Sequence, residues 1–301
     1  MVKLIRILIG LVVPLPIALG VLLVPFGDST VGLSDLTIVR PPPSVSAAGN
    51  PTALDPENVQ RSQSVAVIRQ KPWEQIDFPH SRKLTNNVWG AATNERLTTW
   101  VYLDQDGNFG SSWSRPDPKI RSGLTVQPIY PNVRIGGSPW QLSNCEYFPI
   151  KLSETKSLIF DLAYQYPTIP SGTYNLSYDL FLSDTNKHSD NPEIKAEIMI
   201  WIHGTKKQPS ITYKGEVTDG YNTYELYSWT MLDGRLYYSF IMKGEPRYRA
   251  AHTVDARRLM DTLQLNPNWY IAGIELGNEV WHGSGKLEIQ QLSVKLNDCE
   301  L

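Results

Sequence analysis

The stretch KAEIMIWIHG, residues 195–204, decides the fold. As a β-strand it puts Ala196, Ile198, Ile200 and Ile202 on one face, and Lys195, Glu197, Met199, Trp201 and His203 on the other. The first is a core face. The second sets one carboxylate among large amphipathic side chains, which are costly to leave in water. The same two-residue alternation recurs in GTYNLSYDLFLS (172–183). There Leu176, Tyr178, Leu180 and Leu182 share one face, and Asn175, Ser177, Asp179 and Phe181 the other.

Working outward, RLTTWVYLDQDGNFGSSWSR (96–115) reads as a hairpin turning at Asp106-Gly107. TYELYSWTMLDGRLYYSFIM (223–242) reads as another, turning at Asp233-Gly234. SLIFDLAYQY (157–166) is a further strand. Short strands with turn signals between them predict an all-β, two-sheet sandwich. One helix is expected in TVDARRLMDTL (253–263), with Thr253 as N-cap and Ala256, Leu259, Met260 and Leu263 on its buried side.

The 301 residues carry 28 basic and 30 acidic groups, a net charge of −2, so no electrostatic footprint for nucleic acid is present. Cys145 and Cys299 form no metal-ligand spacing, and no metal or cofactor is expected. They read as two separate thiols or, outside the cytosol, as one disulfide. The N-terminal residues 1–26 carry Lys3 and Arg6, then the uncharged, largely apolar run Ile7–Phe26. That run suits an export signal or a membrane anchor with the rest of the chain outside the cytoplasm. Residues 27–72, including RPPPSVSAAGNPT (40–52), read as a linker, and 73–301 as the folded domain. Oligomeric state is not legible.

Chemistry gathers on polar strand faces. In WYIAGIELGNEVWHGSG (269–285), extension puts Trp269, Ile271, Gly273, Glu275, Gly277, Glu279 and Trp281 together. Glu197, Glu279 and Asp179 thus each lie opposite an apolar stripe, beside aromatic residues. Solvated faces are the ordinary reading of such acids. Against it stand the Trp and Met neighbours, and Gly273 and Gly277, which imply close approach by something. An aromatic groove with paired acids is what hydrolysis of a sugar chain requires.

NNVWG (86–90), SYDLFL (177–182), EIMIW (197–201) and GNEVWHGSG (277–285), in this order, resemble glycoside hydrolase family 12 over about residues 80–297. The resemblance implies a β-jelly roll of two curved antiparallel sheets with a concave substrate cleft. It implies a retaining endo-acting enzyme on β-1,4-glucans such as cellulose, β-glucan or xyloglucan, without a cofactor. Matched by motif, Glu197 is the nucleophile, Glu279 the acid/base and Asp179 an assisting acid. Asn87 and Trp89 match glucan-binding positions, and Met199 and Trp201 the cleft floor. Trp113, in SSWSRPDP, is expected as another cleft aromatic, and Trp281 as a substrate contact beside Glu279. Glu275, GTKKQPS (204–210) and MKGEPRYRAAHT (242–253) depart from the family pattern. Two other readings fit the same groove: a glucan-binding, lectin-like module without catalysis, and a cell-wall transglycosylase using the same residues. The five His residues form no motif and read as surface or supporting groups.

Overall fold

A computed structural model of the chain describes residues 65–78, 82–91, 95–116, 126–141, 145–187, 193–245 and 247–301. The N-terminal segment and most of the proline-rich linker lie outside these residues. In chain order the strands are β1 (Val65–Arg69), β2 (Gln75–Phe78), β3 (Arg82–Thr85), β4 (Thr98–Asp104), β5 (Phe109–Arg115), β6 (Asn132–Gly136), β7 (Ile150–Lys151), β8 (Leu158–Gln165) and β9 (Thr173–Ser183). There follow β10 (Ile194–Gly204), β11 (Tyr213–Thr218), β12 (Thr223–Thr230), β13 (Leu236–Met242), β14 (Arg249–Asp255), β15 (Tyr270–Ile271), β16 (Gly273–Leu296) and β17 (Cys299–Glu300). β1 falls inside the stretch read as linker and pairs with β4, so the folded domain begins before Trp73.

Two layers result. A back sheet runs β1-β4-β5-β16-β8-β14. A front sheet runs β2-β3-β6-β16-β9-β10-β13-β12-β11. β16 serves both. Its first half lies between β6 and β9, its second between β5 and β8. At the crossing, Gly283 has φ +110°, and a Cβ there would fall 1.9 Å from the Ser171 carbonyl oxygen. Only glycine permits both the conformation and the approach.

The expected alternation builds the core between the layers. Leu176, Tyr178, Leu180 and Leu182 of β9 meet Ala196, Ile198 and Ile200 of β10, and Phe160 and Leu162 of β8, all buried. Fully burying each large apolar side chain contributes about 1.5–3 kcal/mol. Bulges reset the alternation. One between Ile289 and Gln291 lets both Ile289 and Leu292 face inward. Another, between Trp201 and His203, turns His203 into the core, where its Nε2 meets the Tyr174 hydroxyl at 3.0 Å. His203 therefore leaves the Glu197 face that alternation assigned it. Burial, and secondarily His252, lowers its pKa to about 4, so it is neutral.

Two other expectations change, and the open reading of the cysteines is decided. The sheets are not wholly antiparallel: β13 lies parallel to β10, from Ala196↔Leu236 to Trp201↔Ile241. The chain goes out through β11 and β12, and β13 returns between β12 and β10 in the direction of β10. The helix α1 (Ala256–Asp261) is capped by Asp255, whose carboxylate accepts the Arg258 N–H at 2.9 Å. Thr253 is still in β14 and donates its hydroxyl to Asp161. Cys145 and Cys299 are both thiols rather than a disulfide: Cys145 is packed in the core, and Cys299 lies against the Tyr147 hydroxyl.

Candidate active site

The front sheet's outer face carries the site. Across β6, β16, β9 and β10 the register aligns Arg134, Glu275, Asp179 and Met199 in one row. The next row is Asn132, Gly277, Ser177 and Trp201. Glu279 lies across from Asn175, and Glu197 across from Phe181. Residues 175 and 181 would be about 20 Å apart on a flat strand. Yet the charge of Glu197 raises the pKa of Glu279, and both charges act on Tyr237. The two carboxyl groups therefore act on a common part of this face.

The floor is separate from the main core. Met199, Trp201 and Tyr237 are buried together, with Trp229, Met231 and Ile241 packed around them. Tyr237 donates its hydroxyl to Met199 Sδ at 2.8 Å, and its ring stacks on Trp229 at 4.1 Å. Here the polar strand face is itself covered, which is why β10 tolerates Met and Trp beside an acid.

The carboxyl groups differ in their surroundings. Glu197 Oε2 is 2.9 Å from Arg235 Nη1, on the β12–β13 turn. Burial pushes its pKa up to about 6, and Arg235 is the chief restraint on that rise. Glu279 is held by Asn175, whose Nδ2 donates to Oε2 at 2.6 Å. Burial foremost, with the Glu197 charge, pushes Glu279 up to about 8, against that hydrogen bond and Lys206. Asp179 is raised well above the usual carboxylate range by burial foremost, and by Glu197. Glu275 is raised by burial and accepts from Asn132 Nδ2 at 3.0 Å.

Asn87 Oδ1 accepts the Trp89 N–H at 3.0 Å, forming a turn that leaves Trp89 half exposed. Arg115, buried with Glu95, donates to the carbonyls of Gly90 at 3.1 Å and Val280 at 2.7 Å. It thereby ties the Trp89 turn to the residue after Glu279. Trp281 is partly buried, with Lys206 Nζ 4.8 Å from its ring centre. Trp113 does not join the site. It faces inward from β5, only 2% exposed, against Tyr166, Tyr174 and the bare Cα of Gly285. The glycines of the polar face also have another reason. A Cβ on Gly277 would lie 2.2 Å from the Pro131 carbonyl oxygen, and one on Gly273 equally close to that of Gly137. Neighbouring backbone, rather than a ligand, requires them.

Sequence reading missed Arg235, Asn175 and Lys206. Asp233-Gly234 marked the turn that carries Arg235, but not its reach to Glu197. Asn175 begins the sequon Asn-Leu-Ser, yet its side chain is fully buried. Lys206 lies in a loop whose departure from the family pattern concealed its role.

The family model described as glycosyl hydrolase family 12 matches residues 81–297. Endoglucanase S of Pectobacterium parmentieri is 26% identical over 222 residues, covering 70% of this chain and 80% of that protein. A family 12 xyloglucanase from Bacillus licheniformis, solved with a ligand, is 26% identical with a TM-score of 0.67, covering 77% of this chain and 100% of its own. Endoglucanase Cel12A from Rhodothermus marinus superposes with a TM-score of 0.63 at 22% identity, over 78% of this chain and 100% of its own, a likeness of fold.

Proposed function

Because the chain belongs to glycosyl hydrolase family 12, we propose that it is a retaining endoglucanase acting on β-1,4-glucan, with xylose-branched glucan among its substrates. One observation carries the reading. Two acids on one sheet face titrate apart, Glu197 at about 6 beside Arg235 and Glu279 at about 8 with Asn175 rather than an ion-pair partner at its carboxylate. The names of the relatives, an endoglucanase and a xyloglucanase, support the substrate class.

In this mechanism the Glu197 carboxylate attacks the anomeric carbon, and the glycosidic C–O bond breaks. Glu279 gives its proton to the departing sugar oxygen. The ester then neutralises Glu197, which removes one cause of the raised Glu279 pKa. Glu279 takes a proton from water as the water oxygen attacks the same carbon, releasing the sugar with retained configuration. Protonated Asp179 acts as donor beside the nucleophile without adding a second charge. Configuration of the first product from a cello-oligosaccharide, read by NMR, tests this. An inverted product rules the mechanism out. Transfer to an added oligosaccharide in preference to water would move the assignment to a transglycosylase.

The charge states fix a pH profile. Glu197 must be ionised and Glu279 protonated, so kcat/KM should rise through about pH 6 and fall through about pH 8. Removing the cation in Arg235→Met should move the acid limb upward by about one pH unit or more, leaving less active enzyme at pH 6. An unmoved acid limb would show that Arg235 does not hold the nucleophile's charge.

Trp89→Ala should raise KM on glucan oligosaccharides about tenfold, through loss of ring stacking. Thermal stability should hold, since the ring is half exposed. Unchanged KM and cleavage pattern would remove Trp89 from the binding face. Export of the domain is part of the same proposal. Its support is the Lys3/Arg6-then-apolar order of residues 1–26 and a polymeric substrate. N-terminal sequencing of the mature protein tests whether the segment is removed.

A further inference from the structure

The loop that follows β10 brings a cation to the acid/base without pairing it. Gly204 ends the strand across from Asn175, the residue that holds Glu279. Thr205 and Lys206 both donate their backbone N–H to the Tyr174 carbonyl, at 2.9 and 3.2 Å. The Thr205 hydroxyl donates to the Gly172 carbonyl at 2.9 Å, and Gln208 Nε2 donates to Ser239 Oγ of β13 at 3.3 Å. Both ends of the 205–208 segment are thus fastened to the sheet. Lys206 is partly buried where its neighbour Lys207 is exposed. Its Nζ rests 4.8 Å from the centre of the Trp281 ring, whose face attracts a cation. Trp281 stands two residues past Glu279, at the bulge between Val280 and His282.

The other groups around Glu279 are accounted for. Glu197 of β10, Asp179 of β9 and Glu275 of its own strand are acids. Tyr130 and Tyr237 are phenols that burial keeps neutral. Arg235 is engaged with Glu197 and Asp233, Arg115 with Glu95, and His282 with Thr173 Oγ1 at 3.0 Å. Arg134 of β6 acts on Glu275. Burial foremost raises the Glu279 pKa and Glu197 adds to it, while the Asn175 hydrogen bond and the Lys206 charge lower it. The two catalytic acids need their charges at different times. Glu197 is ionised before attack, and Arg235 touches it. Glu279 is neutral before attack and ionised after it. A cation in contact would ionise Glu279 too early. A cation resting on Trp281 is near enough to favour the carboxylate once it forms, and too far to force it beforehand.

We infer that Lys206, held on Trp281, is a positioning residue that supplies the counter-charge to the Glu279 carboxylate once the glycosyl-enzyme has formed. The inference rests on the glucanase reading above. In the step it serves, a water O–H bond breaks toward Glu279 and the water oxygen bonds to the anomeric carbon. The ester bond breaks with its electron pair returning to Glu197. The test compares the unmodified chain with Lys206→Met and Lys206→Gln, which remove the charge, Lys206→Arg, which keeps it, and Lys207→Met. Decay of the glycosyl-enzyme formed from a dinitrophenyl cellobioside isolates the water step. Without the Lys206 charge the acid limb of that decay should move up by about one pH unit, a loss of about tenfold on the limb. Azide, which needs no base, should remove the loss. The basic limb of kcat/KM on a cello-oligosaccharide should also move up, since Glu279 then keeps its proton to higher pH. Lys206→Arg and Lys207→Met should leave both limbs in place. Unmoved limbs in the charge-removing variants, or an equal movement in Lys207→Met, overturn the role and leave the glucanase reading standing. No turnover of either substrate by the unmodified chain overturns both.

Discussion

Glu197→Gln is expected to fold as the unmodified chain does and to lose glucan hydrolysis by a factor on the order of 10⁴ or more. The amide keeps the shape and volume of the side chain in its partly buried place. It removes the negative charge that the mechanism directs at the anomeric carbon. It also takes from Arg235 its nearer anionic partner, 2.9 Å away, and among the described residues leaves only Asp233 at 3.7 Å. Some loss of stability is therefore expected, up to the few kcal/mol typical of a broken buried pair. Two measurements separate these effects. Thermal unfolding reports the fold, and single-turnover rates on a cello-oligosaccharide report the chemistry. A folded Gln variant retaining more than a few per cent of activity would move the nucleophile elsewhere.

Glu279→Ala is expected to lower hydrolysis of natural glucans about 10²–10⁴-fold, the range of general acid catalysis. Aryl glycosides with good leaving groups should still glycosylate Glu197, since their departure needs little protonation. The glycosyl-enzyme should then accumulate for want of a base. Azide, which needs no base, should restore turnover and yield a β-glycosyl azide. Truncation also frees Asn175 Nδ2, now bonded to Glu279 at 2.6 Å, and opens space in which azide can sit. Failure of azide to rescue, or an azide product of inverted configuration, would transfer the role. Glu275 would be next to test, since it is buried on the same face and raised by burial.

Much of the site was legible because period-two alternation is local. Once 195–204 is a strand, Ile198 and Ile200 must share a face, and Glu197, Met199 and Trp201 the other. The hairpins turning at Asp106-Gly107 and Asp233-Gly234 followed from turn chemistry equally local. The motif order from Asn87 to Glu279 supplied the family expectation, and the match over residues 81–297 agrees with it.

Other features depend on what lies across from a strand, which no local pattern encodes. Alternation separates two faces without saying which is enclosed, so Trp113 was expected in the cleft but packs between the sheets against Tyr166 and Tyr174. Bulges change faces without a strong sequence mark, as at His203. Arg235 reaches Glu197 only because β13 returns parallel to β10, a register set by β11 and β12 rather than by either strand. The raised pKa values of Glu197 and Glu279 likewise need burial and a cation supplied from distant segments. The sequence by itself determined the strands, their turns and the acids on their polar faces. Tertiary structure alone decided which faces close and how far apart the acids titrate, because enclosure and charge coupling act through space between segments remote along the chain.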